Sequence, residues 1–202
     1  MPSEQTDPAI RAWMNAFDAF QTADIARLEE LTHLSDFPLG TDGWLNHHWL
    51  STAIESAVPE SVAWVLSKNP DVHYMDDEGF TALMAALQTE ADAPHRTDRS
   101  DLRDPVKAAA VTCEIIDLLL AAGVDINQRV TLGVTALHRA AAWSSPAVIR
   151  HLLDNGADPD VMDEDYVPTN ALDTARAMKR TEVAALLEAA MRTQSKKLKK
   201  RT

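Results

Sequence analysis

Apolar residues recur along this chain three and four positions apart in short bursts broken by turn residues, and the burst from Val130 to Met162 is the clearest. It reads VTLGVTALHRAAAWSSPAVIRHLLDNGADPDVM. The pattern predicts a turn with Gly133, a helix from about Thr135 to Trp143, a second from about Pro146 to Asp154, and a stop at Gly156. Each boundary has a local cause. Thr135 can cap the first helix through its hydroxyl, Pro146 suits the opening turn of the second, and glycine suits the left-handed position after it. Leu137, Ile149, Leu152 and Leu153 form the apolar stripe, while Ala140 and Ala141 let the helices approach closely.

The unit repeats. Upstream stand TALMAA from Thr81 and IIDLLLAAGVDIN from Ile115. Gly123 and Gly156 are 33 residues apart but Asp76 and Val130 are 54 apart, so this copy is 21 residues longer, with the excess between its two helices. A degraded copy precedes it, His48 to Ile54 with Val62 to Asp71, where Asn69 takes the glycine position that asparagine also tolerates. Another follows, Ala171 to Arg176 with Val183 to Leu187, reached through a longer turn, Asp163 to Asn170, with Pro168 near the expected glycine. Ahead of them all, Pro8 to Thr22 and Ala23 to Leu31 read as amphipathic helices, and Pro38 to Gly43 as a loop. An array must close its apolar ends against water, so these helices are expected to cap it. The chain therefore divides into an N-terminal helical cap (1–45), repeats (46–193, with an insertion at about 90–110) and a basic tail (194–202).

Through TALHRAA (Thr135 to Ala141), TALMAA, VIRHLLDNGADPD (Val148 to Asp160) and IIDLLLAAGVDIN, the chain resembles the ankyrin repeat family over about Asn46 to Ala190. The departures are Asn69, Met84 in place of the usual histidine, the insertion and the distorted last turn. The resemblance implies an all-α helix-turn-helix solenoid. It also implies turns projecting as fingers beside the first helices, a concave face contacting partners, and a structural ring at His138 bonded to neighbouring backbone.

In that register the fingers hold Asp76, Asp77, Glu78 and Phe80, then Thr131, Leu132 and Val134, then Asp163, Glu164, Asp165, Tyr166 and Val167. The first helices add Gln88, Ala142 and Trp143, at positions where the resemblance implies partner contact. The candidate partner-binding set is Asp77, Glu78, Phe80, Gln88, Leu132, Val134, Trp143, Asp163, Glu164 and Tyr166. Phe80, Trp143 and Tyr166 would act as apolar anchors among carboxylates, with the acid clusters drawing in a basic surface.

Charge sharpens the picture. The 202 residues carry 19 Lys+Arg against 31 Asp+Glu, a net −12, so the body is expected to bind neither nucleic acid nor membrane, and a basic protein partner fits better. Lys196 to Arg201 adds five positive charges in six residues, read as a solubilising end. The N-terminal MPSEQTDPAIRAW has acids and prolines where a secretory signal needs a basic start and an apolar run, so a soluble cytoplasmic protein is expected. A single cysteine, Cys113 in an apolar helical run, suits a buried thiol in a reducing compartment. The carboxylate clusters lack the spacing of a calcium loop, His47 and His48 would point apart on a helix, and no phosphate loop or nucleophile elbow occurs. The insertion from Glu90 to Asp104 is polar and aperiodic and is expected to be a mobile loop, with Asp104-Pro105 opening a lengthened helix to Ala122. The functional expectation is a non-enzymatic protein-binding scaffold, without cofactor or metal and monomeric. The alternatives are an immunity or inhibitor protein acting on a bacterial toxin or enzyme, or a self-associating assembly protein.

Overall fold

One cue starts the first helix of every repeat: an extended residue, an apolar residue, then leucine. A computed structural model describes residues 7–34, 36–42, 46–76 and 79–199 of the chain. Its α-helices are α1 (Pro8–Thr22), α2 (Ile25–Glu30), α3 (Trp49–Glu55), α4 (Pro59–Ser67), α5 (Ala82–Asp92), α6 (Pro105–Ala121), α7 (Ala136–Trp143), α8 (Pro146–Asp154), α9 (Ala171–Ala177) and α10 (Thr181–Lys199). His48, Thr81, Thr135 and Asn170 are the extended caps of α3, α5, α7 and α9. The leucines two residues on, Leu50, Leu83, Leu137 and Leu172, are all buried.

These four helices lie side by side as an inner layer, and α4, α6, α8 and α10 form an outer layer against them. The outer helices obey the rules read from sequence. Pro59, Pro105 and Pro146 open α4, α6 and α8. Asn69, Gly123 and Gly156, with φ of 61°, 96° and 95°, occupy the left-handed position beyond them. The 33-residue register carries the core from one repeat to the next, since Ile115, Ile116 and Leu119 of α6 and Val148, Ile149 and Leu152 of α8 are each fully buried. Ala53, Ala86, Ala140, Ala141 and Ala175, also fully buried, leave no side chain long enough to hold the inner helices apart.

The first two helices continue this packing. α1 lies against α3, and the Ser61 hydroxyl of α4 donates to the Phe20 carbonyl at 2.6 Å. Phe20, Phe37, Trp49 and Trp64 fill the space between, with ring centroids 4.9 to 6.5 Å apart. Trp64 Nε1 and Lys68 Nζ both donate to Glu29 Oε1, at 2.8 and 2.5 Å, tying the end of α2 to α4 and holding the Glu29 carboxyl below the usual range.

The insertion is not the mobile loop its composition suggested. α5 and α6 lengthen to 11 and 17 residues against 8 and 9 in α7 and α8, and single 3-10 turns form at Ala93–His95 and Ser100–Arg103. Ala93 and Leu102 are buried with Ala57 and Ala108 in a small apolar cluster of their own. Arg96 donates to the carbonyls of Glu55 (2.6 Å) and Ser56 (3.3 Å), and Arg99 to that of Ala57 (2.6 Å). The carbonyls at the end of α3 lack partners within the helix, and two guanidinium groups supply donors and favourable charge there. Asp98 and Asp101 pair with Arg96 and Arg99 in turn. Polar residues whose composition suggested a loop thus serve as an anchor.

Candidate partner-binding surface

Each finger is closed by a short backbone bond between its arms: Asp76 N–H to the Phe80 carbonyl (3.0 Å), Val130 N–H to the Val134 carbonyl (2.8 Å) and Asp163 N–H to the Thr169 carbonyl (2.8 Å). The fingers also hold one another. Glu164 N–H donates to the Leu132 carbonyl at 2.7 Å, and Arg129 donates to the Met162 carbonyl (2.8 Å) and to Glu164 Oε1 (3.1 Å). Gly133 at the turn has φ of 71°, which favours glycine, and a Cβ there would lie 2.6 Å from Arg129 Nη2 and 2.9 Å from Glu164 Cγ, displacing the side chains that pair across the fingers.

The acids do less for the surface than their number suggests. Asp163 accepts from the Thr169 N–H (2.9 Å) and hydroxyl (2.6 Å), bonds that hold its carboxyl below the usual range and staple the last finger. Glu164 is the ion-pair partner of Arg129. Asp76 accepts from the Phe80 N–H at 2.7 Å. Asp77 and Glu78 lie outside the described residues.

The apolar candidates fall into two groups. Leu132, Trp143 and Tyr166 are 59, 69 and 98% exposed, with Val167 beside Tyr166 at 68%. Phe80 and Val134 are half-buried, Phe80 beneath the Arg139 guanidinium with its carbon 4.5 Å from the ring centroid. The inter-finger bond brings Leu132 to the finger that bears Tyr166. Trp143, at the far end of α7, stands about 11 Å along the helix axis from the first residue, Ala136. Gln88, half-buried, gives its amide to Asp92 at 2.8 Å.

His138 fills the structural role that the resemblance implied. Its Nδ1 accepts from the Thr135 N–H at 3.2 Å and its Nε2 donates to the Thr169 carbonyl at 3.2 Å, linking the first turn of α7 to the next finger. Burial lowers its pKa. The Cys113 thiol is pushed up to about 11, chiefly by burial, which leaves it a poor nucleophile.

Sequence reasoning passed over a trough on the inner layer. A cavity of about 440 Å³ is lined by Glu55 of α3, Gln88, Thr89 and Asp92 of α5, and Arg96 and Asp98 of the insertion. A smaller one of about 190 Å³, under the fingers, shares Glu55 with it and adds His47, Asp76 and Phe80. Glu55 was findable, since it stands seven residues after its cap, as Gln88 and Ala142 stand after theirs. The insertion wall was not, because nothing in its sequence marks Arg96 as folded back onto α3.

Two stacked layers of short helices, with projecting fingers on one edge, define a helical-repeat solenoid built to present a surface. Residues 91–163 and 106–195 match the family model for ankyrin repeats (3 copies), and the chain belongs to the ankyrin repeat family. It is similar to an ankyrin and IPT/TIG repeat-containing protein of Schizosaccharomyces pombe, 31% identical over 121 residues, which are 55% of this chain and 10% of that protein. It is also similar to protein phosphatase 1 regulatory subunit 27 of Mus musculus, 30% identical over 99 residues, 48% of this chain and 63% of that one. The chain thus spans a tenth of one relative and under two thirds of the other. Among the described residues no helix is long and apolar enough to cross a membrane.

Proposed function

We propose that the chain is a non-catalytic docking module that holds a folded, basic protein partner against its fingers and inner helices. Ankyrin repeats generally mediate protein–protein interaction, and the observation that carries the reading here is the exposure of Leu132, Trp143 and Tyr166 on a bonded, alanine-packed frame. Large apolar side chains held out by a rigid scaffold lose little entropy on binding, so a few of them supply most of the affinity. The net −12 of the chain favours a basic partner. A narrower reading, in which the partner is an enzyme whose activity this chain modulates, draws on the mouse relative, a regulatory subunit by name.

The test is affinity capture followed by calorimetry with the purified partner, comparing wild type with the triple variant Leu132→Ser, Trp143→Ala, Tyr166→Ala and with Val106→Ser, which removes an exposed apolar side chain from the outer layer. The triple variant is expected to weaken binding at least about a hundredfold, since each buried anchor contributes roughly 1 to 2 kcal/mol, while Val106→Ser leaves it unchanged. Equal binding by all three proteins would move the site off this face.

A further inference from the structure

The inner trough across the first two repeats is more than a gap between helices. Glu55, Asp76, Asp92 and Asp98 line its two contiguous cavities against a single guanidinium, Arg96, and an imidazole, His47, which leaves three net negative charges when the histidine is neutral. Asp98 is held by Arg96, and Asp92 takes the Gln88 amide. Glu55 has much less. Among the described residues no hydrogen bond reaches its carboxylate, and its one ion-pair contact, His47 Nδ1 at 3.9 Å, is a cation only when protonated. Burial raises its pKa, with His47 and Arg96 opposing and Asp42 and Asp92 adding to the rise. A second, independent sign lies in the same wall: Thr89 lines the larger cavity, is 3% exposed, and has a hydroxyl with no hydrogen-bond partner among the described residues. A buried hydroxyl left unpaired costs stability, and one standing in the wall of an acidic trough is a group a polar ligand would satisfy.

We propose that this trough is a receptor for a basic peptide segment of the partner, seating an arginine or lysine side chain against Glu55 and Asp92, with the insertion as its outer wall. The volume suits such an occupant, as about 440 Å³ falls within the roughly 300 to 1,000 Å³ of ligand clefts. The chemistry is that of a half-exposed carboxylate without a hydrogen bond, in a recess lined by further acids, meeting a cation. It also gives the insertion a use: Asp98 bonds Gln21 of α1 at 2.8 Å while Arg96 grips the end of α3, so the added residues close one side of the trough. The proposal rests on the docking-module reading and names the chemistry its partner must carry.

The test titrates a fluorescent hexa-arginine peptide into the whole chain and follows anisotropy, alongside amide shifts in two-dimensional NMR. Wild type is compared with Glu55→Gln, Asp92→Asn and with a control of equal charge change on the outer helices, Glu114→Gln, Glu182→Gln. Wild-type shifts centred on Gln88, Thr89 and Arg96, with affinity about tenfold weaker in the trough variant and little changed in the control, would support the site. Thr89→Val, which keeps the shape of the wall and removes only the hydroxyl, should fold with the wild-type melting point or above it and bind the peptide less tightly. Equal weakening by both double variants, or shifts scattered over the acidic surface, would overturn it. The two readings separate with the captured partner. Loss of that partner in the Leu132, Trp143 and Tyr166 variant but not in the trough variant leaves the docking face standing and removes the trough; the reverse pattern keeps the trough and removes the finger anchors.

Discussion

At the third position of α3, α5, α7 and α9 stand Ser51, Met84, His138 and Asp173, four answers to one local demand. Ser51 bonds the Tyr74 hydroxyl, Met84 is buried by packing, His138 bridges its own cap to the next finger, and Asp173 accepts from the Asn170 N–H at 3.3 Å. His138 couples this position of α7 to pH. Its folded pKa lies below the ordinary 6.5, so the unfolded chain takes up a proton more readily than the folded one. Its contribution is therefore complete above about 6.5 and is lost as pH falls below that value toward the folded pKa. Chemical denaturation across this range should show wild-type stability falling with acid, and His138→Gln should flatten the slope while lowering stability at neutral pH. An unchanged slope would mean that the ring carries no such coupling.

At the scale of elements, an arginine from one repeat closes the inner helix of the repeat before it. Arg96, in the insertion after α5, does so for α3, and Arg180, after α9, does so for α7, donating to Ala140 (3.1 Å), Ala141 (2.9 Å) and Ser144. Neighbouring repeats are thereby joined by charge-assisted bonds as well as by apolar contact. The Arg96 side chain is only 11% exposed, so its loss would strand carbonyls it now pairs. Arg96→Ala should cost about 1 to 3 kcal/mol in chemical denaturation and speed hydrogen exchange at residues 93–103, the signature of a released insertion. Wild-type exchange in that variant would show that Leu102 and Ala93 hold the segment unaided.

Over the whole molecule the same bonds join the repeats into one frame that carries a net charge of −12. If encounter with a basic partner is electrostatic, raising salt should slow association steeply while dissociation, governed by buried anchors, changes little. Stopped-flow or surface-binding kinetics against salt would show it, and a salt-independent association rate would leave apolar fit as the only driving force.

Except for the extent of α5 and of α10, which runs to Lys199, the sequence by itself determined the repeat, the starts of most of its helices and its alternation of inner and outer helices. Those follow from interactions between near neighbours: the caps Thr135 and Asn170, the prolines opening α4, α6 and α8, and the left-handed stops at Asn69, Gly123 and Gly156. Trp143 and Tyr166 were legible as candidate anchors, and Leu132 as a candidate contact, since the register alone puts them on fingers or helix ends; Phe80, the third expected anchor, is half-buried beneath Arg139. What only the tertiary structure decided is which polar groups are already spent. The carboxylate of Asp163 is committed to Thr169 six residues away, Glu164 to Arg129 thirty-five away, and the arginines of the insertion to carbonyls some forty residues earlier. A charge in a sequence has no partner until the chain folds, and the partner decides whether it faces water, holds the frame or waits, as Glu55 does, for a cation from outside.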